Sequence, residues 1–153
     1  MNGKCLDIPW ETDLDIVHMW YQHHSANQQW LICEAEPNTY VILSRLSLKC
    51  LEVVDQLSVN RAKLQQSRYR GNPNQIWVLT RLREGCYRIH NKHSGKCLTV
   101  SNWEDRDGAE IVQWTCNGEQ NQLWRIEPKT SNVGRPSRSV LPMSSASPGT
   151  PAR

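Results

Sequence analysis

The tetrapeptides Asn27-Gln28-Gln29-Trp30, Asn74-Gln75-Ile76-Trp77 and Asn121-Gln122-Leu123-Trp124 share the pattern Asn-Gln-x-Trp and recur at intervals of 47 residues. When residues 40–77 are aligned with residues 87–124 without a gap, 13 of 38 positions are identical. A fixed period of this length indicates that the chain is built from structural repeats.

The first copy fits the same pattern with a two-residue deletion. Gly3-Lys4-Cys5-Leu6 matches Gly95-Lys96-Cys97-Leu98, and Trp20 falls opposite Trp114. We therefore define repeat one as about 1–36, repeat two as about 37–83 and repeat three as about 84–128. Residues 1–128 are predicted to form one domain with pseudo-threefold symmetry.

Within a repeat, apolar residues alternate with polar ones, which is typical of short β-strands. In repeat three the pattern predicts four strands, at 87–90, 97–100, 109–115 and 123–126. The stretch Asp105-Arg106-Asp107-Gly108 ends in the Asp-Gly pair that favours a hairpin turn. Three repeats of four strands predict a closed antiparallel all-β fold, because closure removes exposed strand edges.

Charge is distributed unevenly along the 153 residues. Lys and Arg number 18 and Asp and Glu 15, a net charge of +3, but residues 129–153 hold four basic residues and no acid. The domain therefore carries −1 (3 − 4), which is a poor match for a phosphate backbone and argues against nucleic acid as a partner. The Ser- and Pro-rich stretch 129–153 is predicted to be a disordered tail.

No run approaches the roughly 20 apolar residues of a membrane-spanning helix, so membrane insertion is not expected. The N-terminus also lacks the apolar region of a secretory signal. We expect a cytoplasmic protein if Met1 is the true start, and a secreted one if the chain is an N-terminally truncated fragment.

Gly-Lys-Cys-Leu followed by Asn-Gln-x-Trp, three times over, resembles the ricin-B-type (R-type) β-trefoil lectins, which are also a family of carbohydrate-binding modules. The resemblance covers about residues 2–127. It implies a β-trefoil of 12 strands in which Trp30, Trp77 and Trp124 pack the core. Sugar binding would require an Asp two residues after the first Cys, an aromatic late in the third strand, a polar residue two positions earlier, and the Asn-Gln pair, with the Gln supporting the Asp.

Repeat one keeps the whole set and is the expected main site: Asp7, His18, Trp20, Asn27 and Gln28. The aromatic would stack on the C–H face of a sugar while carboxylate and amide fix its hydroxyls. The family most often binds galactose-type sugars and sometimes xylans, and His18 departs from its more common amide. Trp10 and Trp103 lie in loops where they would either extend the rim of a site or cover the surface.

The other two repeats are incomplete. Repeat three keeps Trp114, Asn121 and Gln122. It has Thr99 at the acid position and Val112 at the position equivalent to His18, so a weaker or altered site is expected. Repeat two has Glu52, Asn74 and Gln75, but Ser67 replaces the aromatic, so this site is expected to be silent.

The N-terminus starts too late to contain the first strand of repeat one, because Met1 corresponds to His93 of repeat three. A trefoil without this strand has unpaired backbone groups beside the gap. We expect either that the chain is truncated or that another segment or subunit fills the gap. The C-terminal tail is a weak candidate, with Ser139-Val140-Leu141 as its one apolar cluster.

The six cysteines fit only part of the family pattern. The resemblance implies a disulfide between Cys97 and Cys116, whereas the equivalent partners of Cys5 and Cys50 are Gln22 and Tyr69. Cys33 and Cys86 have no assigned partner and either pair together or stay free. No C-x2-C pair is present and His90-x-x-His93 lacks matching cysteines, so neither metal nor cofactor is expected.

No nucleophile with a base and no carboxylate pair stands out, so the protein is not expected to be an enzyme. The sequence predicts a galactose-type lectin that binds glycans or glycoconjugates. Avidity would come from a second site, from homo-oligomers or from a parent multidomain chain. The alternative is a degenerate trefoil that serves as a protein-interaction or targeting module of a larger protein.

Overall fold

The computed structural model describes residues 3–83, 85–129 and 140–145. Within these ranges the chain forms 12 strands and short 3-10 turns, with no α-helix. The strands are β1 (Lys4–Asp7), β2 (His18–Tyr21), β3 (Gln29–Glu36), β4 (Thr39–Ser44), β5 (Cys50–Val53), β6 (Leu64–Ser67), β7 (Trp77–Arg83), β8 (Cys86–Asn91), β9 (Cys97–Val100), β10 (Ala109–Trp114), β11 (Leu123–Ile126) and β12 (Val140–Ser145).

Six strands close into a barrel. Antiparallel pairing runs from β12 to β3, β4, β7, β8 and β11 and returns to β12. Every strand of the ring has a partner on both sides, so the barrel has no open edge. Repeats two and three each contribute two of these strands, β4 with β7 and β8 with β11, whereas repeat one contributes β3 and the C-terminal segment contributes β12.

The remaining six strands form three hairpins, β1–β2, β5–β6 and β9–β10, at one end of the barrel. They meet around the threefold axis through equivalent pairs: His18 with Glu110, Ile16 with Gln65, and Lys63 with Val112. The all-β trefoil with threefold symmetry predicted from the repeats is therefore confirmed.

The three repeated tryptophans lie in the core. Trp30, Trp77 and Trp124 are completely buried. Each indole Nε1 donates to a main-chain oxygen of its own repeat, those of Leu6, Leu51 and Leu98, at 3.1, 2.9 and 2.9 Å. A buried indole needs such a partner, and the bond ties the barrel to each hairpin.

Strand β12 corrects the prediction for the C-terminus. Residues 129–153 were expected to be a disordered tail, but Val140–Ser145 fills the gap left by the missing first strand of repeat one. Its register is that of the other repeats, because Ser144 faces Cys5 as Leu43 faces Cys50 and His90 faces Cys97. Residues 130–139 and 146–153 lie outside the described residues.

Met143 explains why this segment suits the gap. Its side chain is fully buried, as are those of Ile42 and Ile89 at the equivalent positions of β4 and β8. The sequence gives little sign of this role because the local composition is rich in Ser and Pro, whereas the barrel supplies pairing partners on both sides and an apolar interior.

Cys97 and Cys116 form a disulfide with a Cα–Cα distance of 5.1 Å, as the resemblance implied. Cys5, Cys33, Cys50 and Cys86 are free, so Cys33 and Cys86 do not pair. In the part of the chain that the structure describes, no helix is long and apolar enough to cross a membrane.

Candidate functional site

Asp7 lies at the end of β1, where its carboxylate is fixed by side chains from β2 and the Asn-Gln-x-Trp turn. His18 donates from Nε2 to Oδ1 at 2.9 Å, and Asn27 donates from Nδ2 to Oδ2 at 2.9 Å. His23 places its Nε2 3.5 Å from the same Oδ2. Asp7 is almost completely buried, so these bonds stabilise a charge that has little access to water.

Trp20 provides an exposed aromatic surface beside this network. Its side chain is 41% exposed, although it follows the fully buried Met19 on β2. The His18 imidazole stacks against its indole with ring centroids 5.2 Å apart and an interplanar angle of 28°. His18 therefore links the aromatic surface to the carboxylate, with one face toward Trp20 and its Nε2 on Asp7.

These residues line a cleft of about 290 Å³. The lining residues are Asp7, Pro9, Trp10, His18, Trp20, His23 and Asn27. Trp10 is strongly exposed and lies at the rim of this cleft. The structure thus brings together four of the five residues predicted for the main site.

Gln28, the fifth, has a different role from the one expected. It was predicted to support Asp7, but its Nε2 donates to the Tyr21 oxygen and its Oε1 accepts from the His23 N–H, both at 2.9 Å. Gln28 therefore holds the loop that carries His23. The equivalent Gln75 and Gln122 do reach their acid positions, at 2.7 Å from Glu52 and 3.2 Å from Thr99.

Sequence reasoning missed His23. The available signal was position, because the residue lies three after Trp20 on the segment that leads back to Asn27. Among the described residues, no group of three or more His, Cys, Asp or Glu side chains is arranged to hold a metal ion.

Repeat three contains a second cleft, of about 210 Å³. Its lining residues are Thr99, Ser101, Asn102, Trp103, Val112, Trp114, Asn117 and Asn121. Thr99 replaces the carboxylate and donates its hydroxyl to the Cys97 oxygen at 2.8 Å. Asn121 donates to the Val100 oxygen at 3.0 Å, while its own Oδ1 is buried without a partner in the described structure.

Repeat two is filled by its own side chains. The Glu52 carboxylate accepts from Gln65 at 2.8 Å and from Gln75 at 2.7 Å. Ser67, at the aromatic position, is buried and accepts from the Arg70 guanidinium at 2.9 Å. Glu52 and Gln75 are thus brought together, but no aromatic surface accompanies them.

The fold has counterparts among solved structures. A designed 3-fold symmetric protein, ThreeFoil, matches with a TM-score of 0.78 and 34% identity, covering 80% of this chain and 89% of that chain. An exo-beta-1,3-galactanase from Clostridium thermocellum, 1,3Gal43A, matches with a TM-score of 0.78 and 30% identity, over 80% of this chain and 27% of that chain. No curated protein matches.

A third similar structure is the Macrolepiota procera ricin B-like lectin in complex with lactose. It shares the fold with a TM-score of 0.69 and 19% identity, over 80% of this chain and 86% of that chain. The model of the family described as "Ricin-type beta-trefoil lectin domain-like" matches residues 1–67 and 73–151, which include β12. Membership of a lectin-like family supports carbohydrate binding as the general role of this domain. This chain therefore belongs to the ricin-type β-trefoil lectin-like family.

Proposed function

We propose that the protein is a non-enzymatic lectin whose main site is the cleft of repeat one and whose ligand is a galactose-type sugar. The observation that carries this proposal is the exposed Trp20 beside the buried Asp7 carboxylate. Sugars present a C–H face to an aromatic ring and hydroxyls to fixed polar groups, and this cleft offers both side by side.

The polar part of the cleft is preorganised by Asp7. Because His18 and Asn27 both donate to its carboxylate, their remaining polar atoms, Nδ1 of His18 and Oδ1 of Asn27, have fixed positions. A bound sugar would stack on Trp20 and exchange hydroxyl bonds with these atoms and with His23. Binding to a preorganised site costs less conformational entropy than binding to a mobile one.

Repeat three supplies a weaker second site in this proposal, formed by Thr99, Trp114, Asn121 and Gln122. Repeat two remains silent because Arg70 and Ser67 occupy the position of the stacking surface. Catalysis is not part of the proposal, since glycoside hydrolysis ordinarily uses two carboxyl groups. Asp7 is the one carboxylate among the described residues that line the main cleft.

The test is calorimetric titration of the full chain with galactose and lactose. Trp20→Ala should weaken binding about tenfold or more through loss of the stacking surface. Asp7→Ala should weaken it by about 10–100-fold, because it releases both His18 and Asn27. Tyr69→Ala is the matched control, since Tyr69 is 44% exposed on another repeat.

Unfolding curves recorded on the same samples separate loss of binding from loss of folding. If the wild-type protein binds no glycan, or if both variants bind as well as the control, the proposed site is wrong. The trefoil would then act as the protein-interaction or targeting module considered as the alternative.

A further inference from the structure

Each repeat places one loop residue beside the third strand of the next repeat around the axis. All three residues have the left-handed backbone conformation, with φ values of 65°, 70° and 79°. In each case the main-chain N–H donates to the main-chain oxygen of the residue just before the aromatic position of that next repeat, at 2.9, 3.0 and 2.8 Å. The three residues are Leu14, Arg61 and Gly108, and their acceptors are the main-chain oxygens of Gln66, Gln113 and Met19, respectively.

The side chain at this position differs between the two clefts. Gly108 has no side chain to place over Trp20, and the charge that this loop brings nearby is the Asp107 carboxylate, which accepts from the Tyr21 N–H at 2.8 Å and pairs with Lys4 at 3.0 Å. Arg61 instead places its guanidinium over the Trp114 indole, 5.8 Å from the ring centroid. Trp114 therefore contacts both the cleft of repeat three and an exposed cation.

The residues that line this second cleft carry no charge of their own, because Thr99 replaces the carboxylate. Two nearby acids are already paired: Glu110 with Lys63 and Glu104 with Arg106, each at 2.7 Å. Among the described residues, no carboxylate forms a salt bridge with Arg61. The second cleft therefore combines aromatic surface and amides, and one of its lining residues, Trp114, contacts the unneutralised charge of Arg61, which itself lies outside the lining.

We propose that the cleft of repeat three binds sugars that bear a carboxylate, with Arg61 as the group that recognises the acid. This inference rests on the proposed second carbohydrate site and assigns its ligand class. A guanidinium matches a carboxylate in both charge and fork geometry. The main cleft, where the Asp7 carboxylate stands at the position of Thr99 and Gly108 at the position of Arg61, would repel the same ligand.

The hydroxyls of such a sugar would find partners at the opposite side of the cleft. The Asn121 side chain is one of the amides that line the cleft. The side chains of Asn102 and Asn117 also line the cleft and can donate. The two clefts thus share one architecture but select differently charged sugars, neutral ones at the main cleft and acidic ones at the second.

The experiment compares galacturonic acid with galactose, which share ring hydroxyl stereochemistry and differ in charge. The full chain, labelled with 15N, is titrated at neutral pH while the indole N–H signals are followed, with Trp103→Phe and Trp114→Phe used for assignment. We expect galacturonate to shift the Trp103 and Trp114 signals and to bind this cleft about tenfold more tightly than galactose. Raising the ionic strength from about 0.01 M to about 0.15 M should weaken that binding.

Arg61→Gln should remove about tenfold of the galacturonate affinity and leave galactose binding at the main cleft unchanged. Arg68→Gln, an equal change of charge at another exposed arginine, is the matched control and should have no effect. Retention of galacturonate affinity within about twofold in Arg61→Gln overturns the proposal, as does a dissociation constant weaker than about 100 mM for the wild type.

The signals distinguish this proposal from the main-site proposal. If galactose fails to shift the Trp20 signal while galacturonate shifts that of Trp114, the main site is wrong and the acidic-sugar site stands. If only the Trp20 signal responds, the acidic-sugar site is wrong and the main site stands.

Discussion

Met143→Ala tests whether β12 closes the barrel in solution. Met143 is fully buried on β12 and faces Ile126 of β11, as Ile42 faces Ile32 and Ile89 faces Leu79 in the other repeats. Truncation of a buried methionine to alanine costs about 2–5 kcal/mol, and a flexible methionine in a partly collapsible site favours the lower half of that range. We therefore expect a loss of about 2–3 kcal/mol.

The assay is urea unfolding followed by tryptophan fluorescence, because three tryptophans are buried in the barrel. With an m-value of about 2 kcal/mol/M, the predicted loss lowers the midpoint by about 1–1.5 M urea. Ile42→Ala should lower it similarly, since Ile42 fills the equivalent position of β4. Leu82→Ala is the exposed control, expected to change stability by about 0.5 kcal/mol or less.

The reasoning would be refuted if Met143→Ala unfolded at the same urea concentration as Leu82→Ala while Ile42→Ala was clearly destabilised. In that case the C-terminal segment would not contribute to the core, and the first-strand position of repeat one would be filled in another way or remain open.

Reduction of the Cys97–Cys116 disulfide should lower the free energy of unfolding by about 3 kcal/mol, and a urea midpoint unchanged by reductant would contradict this. Burial, as the main cause, raises the pKa of the Cys5 and Cys50 thiols to about 12 from an ordinary value of 9.0. Because the pKa of each thiol is higher in the folded state than in the unfolded state, the folded state is favoured while the thiols are protonated. The contribution of the two thiols to the free energy of unfolding is therefore complete below about pH 9 and is lost as the pH rises toward 12, and urea midpoints measured across that range should fall. Gly108→Ala should lower the free energy of unfolding by about 1 kcal/mol, because Gly108 has a left-handed φ of 79° that alanine adopts only with strain. Steric overlap adds little to this loss, because the added Cβ would meet only the end of the Arg106 side chain. An unchanged urea midpoint would contradict the prediction and show that the loop relaxes.

Local sequence predicted the strands of repeat three well, because their patterns and turns lie within one repeat. In repeat three, the expected strands at 97–100 and 123–126 agree with β9 and β11, and Gly108 has the positive φ expected of the turn. The disulfide followed from the family resemblance. The pairing of Asp7 with His18 and Asn27 was also accessible, because their positions within a repeat are set by the fold.

Contacts between distant segments were not accessible in the same way. Gln28 was expected on Asp7, but the two donors His18 and Asn27 occupy the carboxylate oxygens, and Gln28 binds the His23 loop instead. The position of Arg61 over Trp114 depends on how one repeat packs against the next. The Arg61 contact crosses a repeat boundary, where period and motif spacing carry no information, whereas the Gln28 contact depends on which of several donors reaches the carboxylate within one repeat.

By itself the sequence determined the threefold all-β architecture, the core tryptophans and the residues gathered at the main cleft, because identical motifs at a constant period require equivalent environments. It assigned no residues to the first-strand position of repeat one. The tertiary structure alone decided that Val140–Ser145 fills that position. The physical reason is that a barrel gap offers backbone partners on two sides and a buried position for Met143, so it can order a segment whose own composition favours disorder.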